Sequence, residues 1–82
     1  METVAINFID KVNGQRVEIE IPLDITAKDL VTALNDTYNL EIDTNKILDC
    51  YLVSENPIAF LRGNMLLSEY GIRNGTDIIY MR

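Results

Sequence analysis

The residue types that carry chemistry are few in this chain and poorly spaced for it. There is no histidine, which removes Ser-His-Asp and Cys-His nucleophile arrangements and the commonest zinc sites. Cys50 is the single thiol. A nucleophilic cysteine needs an electropositive, partly exposed setting. Cys50 instead stands between Leu48 and Leu52 on one side of an apolar run, the setting of a buried structural thiol. Glu18 and Glu20 share a strand face, but nothing beside them would push their pKa values apart as an acid/base pair requires. Glu41, Asp43 and Asn45 alternate in a polar stretch that lacks the glycine and closing glutamate of a calcium loop. The residues therefore predict no catalytic group, no metal and no cofactor, and the chain reads as a non-enzyme whose function lies in a surface.

Composition narrows what that surface meets. Eighty-two residues, 48% of them hydrophobic, suit one small ordered domain spanning 1–82. No apolar run approaches the roughly 18 residues of a membrane span, so no direct membrane insertion is expected. The start, Met1-Glu2-Thr3, lacks the basic and apolar regions of a secretory signal, and a lone cysteine fits a reducing, cytoplasmic compartment. In that compartment the sequons Asn35-Asp36-Thr37 and Asn74-Gly75-Thr76 are helix and turn residues only. Thirteen acids against seven bases give a net charge of −6. The bases (Lys11, Arg16, Lys28, Lys46, Arg62, Arg73 and Arg82) are scattered, so nucleic acid is repelled and a protein partner is the expectation.

The elements that must build the surface follow from periodicity. Val4, Ile6 and Phe8 alternate with Ala5, Asn7 and Ile9, and Val17, Ile19 and Ile21 with Arg16, Glu18 and Glu20, a pair of half-buried strands. Asn13-Gly14 between them predicts a two-residue type I′ turn, which sets Phe8 opposite Ile19 and Ile6 opposite Ile21. That register also sets Lys11 against Arg16, a like-charge pair that a longer loop would relieve. Pro22 ends the second strand. Thr26 and Asp29 form a capping box ahead of an apolar helical stripe of Ala27, Leu30, Val31, Leu34 and Tyr38, with Asn39 as a left-handed cap. A polar loop, Glu41 to Asn45, leads to a predicted third strand over Lys46 to Val53. A turn at Ser54–Pro57, a short strand from Ile58 to Leu61 and a final strand running to Arg82 complete the reading.

The closing segment, Leu66-Leu67-Ser68-Glu69-Tyr70-Gly71 followed by Asn74-Gly75, resembles the end of ubiquitin-like domains. Hairpin, helix, strand, short strand, turn and final strand is likewise the element order of the β-grasp. The expected fold class is therefore α+β, a ubiquitin-like β-grasp with a mixed sheet of four to five strands packed on one α-helix. With its acidic balance and the ending Tyr70-Gly71-Ile72-Arg73-Asn74-Gly75-Thr76-Asp77-Ile78, the chain is most similar to the YukD/EsaB family of small bacterial proteins. That resemblance implies a cytoplasmic accessory or regulatory component of the type VII secretion system of Gram-positive bacteria, with partners among the proteins of a membrane secretion complex. The broader resemblance to ubiquitin-like domains implies that Tyr70 is structural, its hydroxyl tying the loop to the backbone. Conjugated modifiers end in a flexible tail with two glycines, whereas this sequence reads Tyr80-Met81-Arg82 inside a predicted strand, so a modifier or sulfur carrier is the lesser alternative. A generic ubiquitin-like interaction module unrelated to secretion is the other.

If Ile78 and Tyr80 point at the helix, Ile79 and Met81 point away from it. With Ile47, Tyr51 and Val53 they form the candidate protein-binding face, an apolar patch on the open side of the sheet.

Overall fold

Asn39 takes the left-handed conformation at φ 54° and ψ 54°, and its N–H donates to the carbonyl of Asn35. At the other end Thr26 accepts from the Asp29 N–H and Asp29 accepts from the Thr26 N–H, at 3.1 and 3.3 Å. Between these caps, in a computed structural model that describes residues 2–81, runs the helix α1, Ala27–Tyr38. Capping of this kind satisfies donors and acceptors that the helix ends leave unpaired. Its stripe of Ala27, Leu30, Val31 and Leu34 is buried.

The stripe packs on one five-stranded mixed sheet in the order β2-β1-β5-β3-β4. The strands are β1 (Thr3–Asp10), β2 (Gln15–Pro22), β3 (Leu52–Glu55), β4 (Ala59–Leu61) and β5 (Asp77–Tyr80). β5 runs parallel to β1 and antiparallel to β3, which places the final strand at the centre. Val4, Ile6, Phe8, Leu52, Leu61, Ile78 and Tyr80 meet the helix stripe in a single core, and the rings of Phe8 and Tyr38 stack at 4.9 Å. The arrangement is the expected α+β β-grasp.

Two local expectations give way. The hairpin pairs Phe8 with Val17 and Ile6 with Ile19, a slip of two residues from the register a two-residue Asn-Gly turn demands. The cause is Asp10, whose carboxylate accepts from the N–H groups of Val12 and Asn13 and from the Asn13 side chain at 3.0, 3.0 and 2.8 Å. Those bonds hold an open turn from Lys11 to Gly14 and take Lys11 out of the ladder, so that Arg16 lies opposite Ile9. A slip of two keeps every side chain on its original face.

The third strand begins at Leu52, not at Lys46. Asp43 accepts from the N–H of Asn45 through its side chain and of Lys46 through its carbonyl, and the N–H groups of Asp49 and Cys50 both donate to the Lys46 carbonyl. These consecutive turns satisfy the backbone locally and leave no ladder to extend, which is how Asp and Asn compete with strand pairing. β5 ends at Tyr80. The expected continuation stops short: Met81 already lies outside the strand, and Arg82 falls outside the described residues.

Candidate protein-binding face

In β5 the alternation predicted from sequence is present: Ile78 and Tyr80 enter the core, and Ile79 lies outside that core cluster. Ile79 is flanked by Ile9 of β1 and Val53 of β3, and Val53 is flanked in turn by Phe60 of β4. Four strands thus contribute one residue each to an apolar row across the open side of the sheet. The Tyr51 ring, just before β3, tilts against Phe60 with centroids 5.4 Å apart and planes at 49°. Tyr51 and Phe60 are both exposed, as is Met81 beyond the end of β5.

The rest of the face is polar. Asn7 pairs with Glu18 and Ala5 with Glu20. Asn7 also donates through its side-chain amide to Asp77 at 3.0 Å, and Arg16 approaches the same carboxylate at 4.0 Å. An exposed ion pair at that distance contributes little to stability. Its effect is to fix a charged border beside the apolar half. An apolar centre with a polar rim is the anatomy of a recognition surface.

Of the five residues expected on this face, Val53 and Ile79 are cross-strand partners and Tyr51 joins them through Phe60, while Met81 lines a hollow with Tyr51 and the acids Glu41, Asp43 and Asp49. Ile79 is 4% exposed, because neighbouring strands cover it, so the accessible apolar surface of the face comes from its neighbours. Ile47 is elsewhere. It sits on the turn-rich loop before β3 and lines a groove with Lys28, Cys50, Arg62 and Gly63. Sequence reasoning missed Ile9 and Phe60. The signal for Ile9 was its place on the outward parity of β1. Phe60 required the β3–β4 register, which the sequence does not state.

Cys50 is buried in the core cluster, and burial pushes its thiol up from the ordinary cysteine value. A thiol held protonated in this way is a poor nucleophile. Tyr70 donates its hydroxyl to the Arg62 carbonyl at 2.9 Å, tying the segment after β4 to the turn before β5. Thr76, fully buried, accepts from the Arg73 N–H and donates to the Asn56 carbonyl. Gly75, at φ 88°, donates its N–H to the Ala5 carbonyl at 2.9 Å, and Asn74 accepts from the Ala5 N–H. This turn therefore sets the register with which β5, and Ile79 on it, enters the sheet. Among the described residues no group of histidine, cysteine or acidic side chains is arranged to hold a metal ion.

The family model described as "WXG100 protein secretion system (Wss), protein YukD" matches residues 3–79. No curated protein matches the chain in sequence. Solved structures resemble it in fold. A ubiquitin-like domain of an Arabidopsis thaliana protein superposes with a TM-score of 0.70 at 15% identity, over 96% of this chain and 76% of that one. Caldiarchaeum subterraneum ubiquitin gives 0.65 at 14% identity, over 99% and 96%. A de novo designed protein based on ubiquitin gives 0.65 at 16% identity, over 94% and 84%. Identities this low establish a shared fold and nothing finer.

Proposed function

The chain belongs to the YukD family of WXG100 secretion-system proteins, and from that premise we propose that it is a ubiquitin-like accessory or regulatory component of such a system. It works on the cytoplasmic side as a single, non-enzymatic domain, by binding protein components of the membrane secretion complex rather than by being conjugated to targets. The family match over residues 3–79 carries the reading. Two observations support it. The open sheet face carries the apolar row of Ile9, Ile79, Val53 and Phe60 beside a charged border. The one thiol is buried and no histidine is present, so presentation of a surface is what the chain has to offer. No helix among the described residues is long and apolar enough to cross a membrane, and partner contact supplies the link to the membrane complex.

Deletion of the gene tests the proposal. Secretion of WXG100 proteins into the culture medium is expected to fall sharply and to return on complementation in trans. Unchanged secretion in the deletion strain would overturn it.

A further inference from the structure

A second surface lies away from the open face. Ile47 and Leu48, adjacent on the loop before β3, are 82% and 79% exposed. The loop does not owe this to disorder, since hydrogen bonds from Asn45, Lys46, Asp49 and Cys50 fold it into consecutive turns. Leaving a large aliphatic side chain in water forgoes the favourable free energy of its burial. An ordered loop that holds two of them outward presents an unfilled contact. Ile47 forms one wall of a groove of about 340 Å³. The start of α1 (Lys28), Thr44 and Asn45 of the same loop, and Arg62 and Gly63 after β4 form the rest, with Cys50 among the lining residues. The Lys28 N–H bonds the Gly63 carbonyl at 2.9 Å, so two of the walls are joined.

The charge of this groove is opposite to that of the molecule. The chain carries −6 overall, yet the groove is lined by two bases and by no acid. Neither base forms a salt bridge among the described residues, where the ion pair present is Arg16–Asp77. A separate hollow is lined by Glu41, Asp43 and Asp49, so the acids of this loop gather away from the groove lining. Two exposed bases over an apolar wall complement a carboxylate next to a branched aliphatic side chain.

We propose that the groove between Ile47, Lys28 and Arg62 binds an acidic, aliphatic peptide segment of a protein partner, independently of the open sheet face. The inference rests on the reading of the chain as a protein-contact module. The net charge keeps acidic segments from most of the surface, so the groove selects both their place and their orientation. The aliphatic side chain packs on Ile47, and the carboxylate bridges Lys28 and Arg62.

The test is titration of the isotopically labelled protein with a short, end-blocked peptide of alternating leucine and glutamate, followed by amide chemical shifts. Shifts are expected at Lys28, Ile47, Arg62 and Gly63. Lys28→Glu and Arg62→Glu, at exposed positions that leave the circular dichroism unchanged, are each expected to weaken binding about tenfold, the equivalent of ~1.4 kcal/mol. Ile47→Ser removes the apolar wall and is expected to weaken it comparably. The absence of shifts, an equal response to the peptide with lysine in place of glutamate, or shifts confined to Ile9, Val53 and Phe60 would overturn the proposal. So would concentration-dependent shifts of the groove amides without peptide, which would make a second copy of the chain the occupant. Because the readout involves no secretion machinery, the groove and the secretion role fail separately.

Discussion

Tyr80 donates its hydroxyl to the carbonyl of Leu40 at 2.6 Å, a bond that joins the last strand to the residue after the helix cap across 40 positions of sequence. Both residues are buried, so a carbonyl that loses this donor is poorly placed to find another. Tyr80→Phe keeps the ring and removes only that hydroxyl. The expected cost is about 1–3 kcal/mol, the penalty of an unsatisfied buried acceptor, read as a shifted midpoint in urea.

Asp10 makes the fold sensitive to acid. Burial opposes its ionisation, but the hydrogen bonds from the Asn13 side chain, the Asn13 N–H and the Val12 N–H outweigh it and hold the carboxyl below its ordinary value. A carboxylate depressed on folding contributes stability that is present above its unfolded pKa, about 3.9, and is lost as pH falls through the folded value. Unfolding free energy of the unaltered chain should therefore decline below about pH 4. Asp10→Asn should be less stable at neutral pH and show a shallower acid decline, checked by denaturation across pH 2–7.

The two faces of α1 should differ in weight. Leu34 is 4% exposed on the buried stripe, and Leu34→Ala is expected to cost about 2–5 kcal/mol. Lys28→Ala, on the solvent side, should change stability by less than about 0.5 kcal/mol. Equal effects in chemical denaturation would contradict the packing described.

Cys50 should be silent in the native protein. Burial raises the thiol's pKa and leaves it only 5% exposed at the edge of the groove, so DTNB should release its full equivalent of chromophore quickly only when the chain unfolds. Fast stoichiometric reaction under native conditions would place the thiol outward.

Where local chemistry and tertiary packing agree, the sequence was legible. Thr26, Asp29 and Asn39 carry their roles in their side chains, and the helix appears between them. Tyr70 ties the loop to the backbone as its resemblance to ubiquitin-like domains implied. The hairpin register is not legible locally, because Asn13-Gly14 carries a strong turn signal while the competing signal is one aspartate whose donors come together only in the folded loop. Lys46 to Tyr51 departs from the expected strand for a related reason. A short apolar run reads the same as a strand or as turns, and here Asp43 and the Lys46 carbonyl satisfy the backbone before a partner strand can. The candidate face was legible in β5 through alternation alone. Phe60 and the departure of Ile47 from the face depend on pairing between strands, which no local pattern encodes.

On the proposed function, the open sheet face does the work in secretion. Ile79→Asp is a poor probe, because a charge placed at a 4% exposed position would unfold the sheet. Tyr51 and Phe60 form an exposed pair on the face, so Tyr51→Ala and Phe60→Asp alter the surface and spare the core. The measurement is the amount of WXG100 protein secreted by a deletion strain complemented with each variant, beside circular dichroism and thermal melting of the purified variants. Variants that fold and fail to restore secretion are the expected result. Full secretion from both folded variants would contradict it.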